Sequence, residues 1–248
     1  MKVGSISVRN SDLILSILIV VFGAFGVLLH QRADFGGVDV FYADAAKYLL
    51  DHNSYGVEGH PETTQPPGLA GILALLFSIF GYSHAVCVSA MAVFETFGFL
   101  VAYEILRRRG PRLVAATICI LLLSSPLYFS WATRMVYPCF PYFFTTMVAL
   151  LAAEEYENAA PTSRRIIWGT VLTAAVAASL LIATGTIALL GAIAAVVAST
   201  WLVDQRLART RLLRFLPVLL LGILVQGLWM HRKPLLWNGP YQAILGLI

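Results

Sequence analysis

The stretch GVDVFYADAAKYLLDHNSYG at residues 37–56, followed by TTQPPGLAGILALLFSIFG at residues 63–81, decides how this chain is organised. It lies between the first long apolar segment and the second. The interval from Gln31 to Gln65 holds six of the thirteen carboxylates and two of the five histidines of the chain. Whether the short apolar run that follows crosses a membrane determines the side on which every later loop lies.

Composition indicates the class of protein. Of the 248 residues, 59% are hydrophobic and 12% are charged, and the mean hydropathy is +0.80. These polar residues are too few to cover the surface of a soluble globular protein. We therefore predict an all-α polytopic membrane protein with one membrane domain over residues 1–248. The net charge of +4 does not indicate nucleic acid as a partner, since the arginines cluster in short loops between apolar segments, where they act as topology signals.

Segment length predicts which helices span the membrane. A helix needs about 20 apolar residues, and at least about 17, to cross roughly 30 Å of hydrocarbon. Seven segments qualify, at about 13–29, 85–106, 113–130, 137–153, 166–183, 186–203 and 212–230. We predict that the first is a retained helix, because no small-residue cleavage site follows it. The run Gly68 to Phe80 has only 13 residues, a length typical of an interfacial or re-entrant helix.

Basic residues discriminate between two topologies. If Gly68 to Phe80 does not cross and the N-terminus is cytoplasmic, 12 basic residues lie inside and 5 outside. If this run crosses, the numbers become 5 and 12, which violates the positive-inside rule. We therefore predict a cytoplasmic N-terminus, seven spans and an external C-terminus. Residues 31–83 then form an external loop that contains amphipathic and interfacial helices.

This topology restricts the chemistry. The predicted cytoplasmic loops are short connectors without a Walker or dinucleotide-binding glycine motif. An enzyme acting at the outer face has no access to cytoplasmic nucleotide sugars or ATP. Any activated donor must therefore arrive through the lipid.

The external loop begins with a predicted helix. Apolar residues recur at spacings of three and four from Val38 to Leu50, a pattern that predicts an amphipathic helix. Asp39 lies at its start, and two roles remain open for it. It caps the free backbone amides and interacts with the helix dipole, or it is a general base that faces a substrate hydroxyl.

The order of these parts resembles the GT-C class of membrane glycosyltransferases, which contains protein O-mannosyltransferases and lipid A aminoarabinose transferases. Members have one span, a long external loop with an acidic residue and a tyrosine, a Pro-Pro or Lys-Pro helix ending in Phe-Gly, and then the second span. The matching residues here are Asp39, Tyr42, Ala46, Leu49, Leu50, Tyr55, Pro66, Pro67, Gly68, Phe80 and Gly81.

The resemblance implies inverting transfer of a sugar from a polyprenyl-phosphate donor to a glycan, lipid or protein acceptor. The reaction would take place at the periplasmic or lumenal face of a membrane, which we expect to be a bacterial inner membrane. Asp39 is the first choice for the general base and Asp44 the reserve, with lipid phosphate as the leaving group. The residues expected to bind substrate or lipid phosphate are Tyr42, Arg134, Tyr137, His231, Arg232 and Lys233. For the four cationic residues, the alternative is an anchor to membrane headgroups.

The chain also departs from the pattern of the relatives. They often carry an acidic residue before the proline of the external turn between spans three and four, where it helps to hold a divalent cation. This chain has Tyr137 before Pro138, which argues against that metal site. A different site with oxygen and nitrogen ligands remains open, built from Asp39, Asp44, His52 and His60. Relatives continue beyond the seventh span, so we expect a truncated or minimal core.

Two alternatives remain. Glu95 lies deep in the second predicted span, where a carboxyl group either has a function or hydrogen bonds to a neighbouring helix, for example through a threonine or Gln226. For the function of the whole chain, the alternative to a glycosyltransferase is a non-catalytic GT-C-like subunit that binds lipid-linked sugar or assembles with a partner subunit in a membrane complex. Tyr137 and the missing C-terminal region favour this alternative.

Overall fold

The computed structural model of this chain describes residues 12–24, 38–57, 60–61, 65–125 and 136–183, with separate positions between 191 and 227. Its described part is all-α, as predicted. The helices are α1 (Asp12–Ala24), α2 (Val38–His52), α3 (Gly68–Phe80), α4 (His84–Arg107), α5 (Arg112–Leu123), α6 (Cys139–Asn158), α7 (Thr162–Ile182) and α8 (Phe215–Val225). A two-residue antiparallel ribbon pairs Gly56–Val57 with His60–Pro61.

Two of the described helices, α4 and α7, are long and apolar enough to cross a membrane. Helices α1, α3, α5 and α8 are apolar but shorter. The count of seven spans stays a prediction, because several predicted segments fall partly or mostly outside the described residues, including 126–135 and most of 184–214. At 13 residues, α3 is about 20 Å long and too short to cross roughly 30 Å of hydrocarbon.

One predicted boundary is wrong. We predicted a continuous span over residues 113–130, but α5 ends at Leu123. The Ser124 hydroxyl donates to the Leu121 carbonyl at 3.3 Å, which offers the backbone an alternative to continued helix. Ser125 precedes Pro126, and a residue before proline disfavours the α conformation.

Helices α4 and α6 form the centre of the bundle and run side by side in the same direction. Gly98 of α4 faces Phe143 of α6, where an added Cβ would lie 2.5 Å from the Phe143 ring. Further along both helices, the Arg108 guanidinium that follows α4 contacts Glu155 at 2.6 Å. Helix α7 returns beside α6. The two helices are joined by a buried hydrogen bond, in which the Ser179 hydroxyl donates to Thr145 Oγ1 at 2.8 Å.

An ion-pair cluster connects four helices at one end of the bundle. Asp12 of α1 contacts Arg107 at 2.9 Å and Arg112 at 3.3 Å, and Arg109 contacts Glu154 at 3.1 Å. We define the cluster as four arginines and four carboxylates: Arg107, Arg108, Arg109, Arg112, Asp12, Glu104, Glu154 and Glu155. The arginines that we predicted to act as topology signals therefore form ion pairs that connect α1 and α6 to the α4–α5 turn.

At the other end of the bundle, α3 begins against the end of α7. A Cβ added at Gly68 would lie 2.5 Å from the Leu181 carbonyl oxygen and 2.9 Å from the Ile182 nitrogen. The first turn of α3, whose amides carry partial positive charge, thus meets the last turn of α7, whose carbonyls carry partial negative charge. This contact ties α3 to the bundle.

Candidate functional site

Helices α2 and α3 pack together into a unit that we call the α2–α3 layer. On α2, the side chains of Tyr42, Ala43, Ala45 and Ala46 are at most 3% exposed. They pack on the buried face of α3, formed by Leu69, Ala70, Leu73, Ala74 and Phe77. Small alanines bring the two backbones close together, and the amphipathic stripe predicted from Val38 to Leu50 is the face that makes this contact.

Asp44 is held by a residue distant in sequence. The Tyr82 hydroxyl, in the turn between α3 and α4, donates to Asp44 Oδ1 at 3.0 Å. Lys47 lies one turn further along α2, with its Nζ 5.1 Å from the Tyr82 ring centroid, within cation–π range. Burial and the hydrogen bond and negative charge of Asp44 raise the pKa of Tyr82 to about 12. Asp44 is thus a fixed hydrogen-bond acceptor at the edge of the α2–α3 layer.

Two tyrosines hold the segment that enters α3. The Tyr42 hydroxyl donates to Gln65 Oε1 at 3.4 Å. The Tyr55 hydroxyl donates to the Gln65 carbonyl at 3.2 Å. Tyr42, predicted to bind substrate or lipid phosphate, is therefore a buried residue that orders the residues before Pro66.

Asp39 lies in the first turn of α2, which begins one residue earlier at Val38. Its side chain lies outside the described residues, so its role as general base stays a prediction. Positions 39 and 44 are five residues apart in the same helix, which places them about 140° apart around the axis. The two aspartates are therefore not on the same face of α2.

Tyr137 lies beside the α2–α3 layer. It is partly buried and packs on the same apolar cluster as Val136 and Phe140, two buried residues that flank the start of α6. The ring of Tyr137, the residue noted above as a departure from the GT-C pattern, therefore belongs to the packing of the layer.

The proposed metal ligands are only partly described. The His52 ring stacks on Tyr48 with centroids 4.3 Å apart, and the side chains of Asp39 and His60 lie outside the described residues. Among the residues that the structure describes, no three His, Cys, Asp or Glu side chains converge on a metal position. The predicted cationic ligands of lipid phosphate also lie outside the described residues: Arg134, His231, Arg232 and Lys233.

Glu95 is a buried carboxyl group inside α4, only 5% exposed. Its Oε1 atom has no hydrogen-bond partner among the described residues. The hydrogen bond to a neighbouring helix that we considered as one of two roles for Glu95 is thus not found at this atom, and Gln226 lies outside the described residues. The nearby hydroxyl of Thr96 lies against Gly23 of α1, where an added Cβ would be 1.9 Å from Thr96 Oγ1.

Tyr82, Lys47 and Gln65 are not among the site residues predicted from the sequence. Tyr82 follows Gly81, whose positive φ of 82° is a conformation that favours glycine and ends α3 in a sharp turn. The glycine was therefore a signal in the sequence that a turn precedes Tyr82. Its contact with Asp44 joins residues 38 positions apart, so no local pattern could reveal it.

Comparison with known proteins gives a match only at the level of structure. No family model and no curated protein matches the chain. ArnT from Cupriavidus metallidurans in the apo state matches with a TM-score of 0.69 at 16% identity, over 91% of this chain and 42% of ArnT. The same protein bound to undecaprenyl phosphate matches with a TM-score of 0.69 at 16% identity, over 90% and 41%. The chain has the fold of the matched part of ArnT.

At the level of the fold, the match confirms the resemblance to the GT-C class and the all-α prediction. The two long apolar helices α4 and α7 agree with the prediction of a membrane protein. The chain spans less than half the length of ArnT, 42% in the apo structure. The likeness to ArnT concerns the fold, because 16% identity leaves most side chains different.

Proposed function

We propose that this chain is the membrane core of a glycosyltransferase that takes a sugar from a polyprenyl-phosphate donor at the external face of the membrane. The observation that carries the proposal is the match of 90% of the chain to ArnT bound to undecaprenyl phosphate. The α2–α3 layer supports it, because this layer contains the loop residues that resemble the GT-C pattern.

In the proposed reaction, Asp39 removes the proton from an acceptor hydroxyl, which attacks the anomeric carbon in line with the departing lipid phosphate. The new glycosidic bond forms as the bond to phosphate breaks, and the configuration at the anomeric carbon inverts. We favour Asp39 over Asp44 because the Asp44 carboxylate already accepts a hydrogen bond from Tyr82, so one of its oxygens is engaged within the fold.

The test compares two matched variants, Asp39→Asn and Asp44→Asn. Asp39→Asn should lower transfer from a radiolabelled polyprenyl-phosphate sugar in membranes by about 10²- to 10⁴-fold, the range for loss of a general base. Asp44→Asn keeps an oxygen that accepts from Tyr82. Transfer should stay within about threefold, because the bond loses only its charge assistance, a fraction of the free energy of a typical net hydrogen bond.

Both variants should keep the thermal midpoint of the wild type in detergent, which separates lost chemistry from lost folding. Full transfer by Asp39→Asn would exclude Asp39 as the base. Loss confined to Asp44→Asn would reverse the assignment of the two aspartates.

A second candidate is a non-catalytic subunit that binds the lipid-linked sugar. The packing of Tyr137 into the apolar cluster, in a position where relatives often have an acid, favours it. This candidate predicts that the wild-type chain retains the radiolabelled donor on a filter but transfers no sugar to any acceptor extract. Measurable transfer that depends on Asp39 would exclude it.

A further inference from the structure

A pocket of about 380 Å³ lies between α6, α7 and α8, away from the α2–α3 layer. Its polar lining includes Thr162, Thr170 and the Arg165 guanidinium of α7, and its opposite wall is formed by Pro217 and Val218 of α8. Arg165 is 16 residues from the end of α7 that contacts α3, a distance of about 24 Å along the helix. The pocket is therefore separate from the candidate site.

The charge of Arg165 is not balanced by a carboxylate in the described structure. Its Nη2 donates to the Ala159 carbonyl at 2.9 Å, and its buried Nε has no hydrogen-bond partner among the described residues. Glu154 and Glu155 pair with Arg109 and Arg108. None of the described residues that line the pocket is acidic. A guanidinium in this state favours an anionic ligand with phosphate-like oxygens.

The rest of the pocket is apolar. Gly169 leaves the Tyr156 ring uncovered, since an added Cβ would lie 3.1 Å from that ring, and the Tyr156 ring packs on Phe215 with centroids 6.0 Å apart. Ile166, which is 65% exposed, forms the rim. One cationic end and one apolar end suit an amphiphile better than a free anion.

We propose that this pocket binds an anionic phospholipid, with its phosphate on Arg165 and Thr162 and the first part of an acyl chain along Ile166 and Val218. Basic pockets between membrane helices are established sites for acidic headgroups. The charge distribution predicts that the α6–α7 turn is cytoplasmic, which assigns the lipid to the inner leaflet. This site is independent of the proposed transferase reaction.

The test measures phosphatidylglycerol retained by the full chain in a neutral detergent, by native mass spectrometry. Arg165→Gln should weaken retention about tenfold, as expected when one charge-assisted hydrogen bond is lost. The matched control is Arg164→Gln, which removes the same charge from an exposed neighbouring position. Its effect should stay within about twofold, because an exposed charge contributes little.

A third variant leaves the cation in place. Thr170→Leu fills the pocket from an exposed position on α7, so it should weaken retention while the thermal midpoint is unchanged. This variant keeps the test decisive if Arg165→Gln disturbs the α6–α7 turn through loss of the bond to Ala159. The proposal is overturned by equal effects of Arg164→Gln and Arg165→Gln, by unchanged retention in Thr170→Leu, or by equal retention of phosphatidylcholine. Displacement of the lipid by millimolar inorganic phosphate would also overturn it, because the site would then take free phosphate.

Discussion

At the scale of single residues, the two aspartates of α2 differ in what constrains them. Asp44 accepts from Tyr82, and Lys47 lies over the Tyr82 ring. This arrangement joins α2 to the turn after α3 at a solvent-exposed position. We infer that Asp44 fixes the orientation of α2 and thereby of its first turn, which carries Asp39.

The Tyr82 hydrogen bond predicts a pH dependence. The pKa of Tyr82 is raised from 10.0 to about 12, so the folded state holds this proton more tightly than the unfolded state. The resulting stabilisation is complete below pH 10 and is lost as the pH rises through about 12. Tyr82→Phe should therefore cost about 0.5–1 kcal/mol at pH 8, and the difference from wild type should vanish towards pH 12.

The measurement is the thermal midpoint of both proteins from pH 8 to pH 12, with the tyrosinate absorbance recorded in parallel. Asp44→Asn serves as the control, because it removes the negative charge beside Tyr82 and should lower its titration from about 12 only in part, since burial, the largest cause of the raised pKa, remains. Parallel decline of Tyr82→Phe and wild type across this range would show that the bond does not stabilise the fold.

At the scale of elements, the contact between α3 and α7 determines where the α2–α3 layer sits. Gly68 is the residue that permits it, because any side chain would meet the backbone of Leu181. Gly71, one turn further along α3, has no atom within 4 Å of its added Cβ. The two glycines therefore form a natural pair for a test.

Gly68→Ala should lower stability by about 1–3 kcal/mol, as overpacking against a backbone does. Gly71→Ala should raise stability by about 0.5–1 kcal/mol, because alanine favours the helix. Thermal unfolding in detergent measures both changes. A neutral Gly68→Ala variant would mean that α3 and α7 do not meet as described.

Helix boundaries show which elements the sequence could predict. We predicted Gly68 to Phe80, and α3 has these bounds, because Pro66, Pro67 and Gly81 mark both ends in local sequence. The end of α5 was missed because Ser124 and Ser125 lie inside an apolar run whose hydropathy continues beyond them. Hydropathy reports burial in lipid, whereas the helix end depends on hydroxyl and proline chemistry.

At the scale of the whole molecule, the predicted topology has a direct test. A cysteine at Glu58 should react with an impermeant maleimide in intact cells, because this loop is predicted to be external. The matched control is Gly110→Cys, in the exposed α4–α5 turn, which should react only after permeabilisation. Both are introduced with Cys139→Ser, since Cys139 is exposed while Cys87 and Cys119 are buried. The reverse labelling pattern would overturn the topology.

The membrane class and the loop order were predictable because they depend on composition and on motifs that are local in sequence. The contacts within the site were not, because they join distant segments: Tyr82 reaches Asp44, and Tyr42 reaches Gln65. From the sequence, Arg165 was counted only among the basic residues of a predicted cytoplasmic loop. Its pocket could not be predicted, because it forms between α7 and α8, which are distant in sequence.

The ion-pair cluster has a consequence for biosynthesis. In the finished protein its four arginines face four carboxylates, so the group has no net charge. Glu154 and Glu155 are translated only after the whole of α5, however, and acidic residues contribute little to orientation. While the nascent chain leaves the ribosome, the arginines would therefore still act as positive charges that favour the predicted cytoplasmic side for this turn. The two carboxylates of α6 would pair with Arg108 and Arg109 only once α6 packs beside α4.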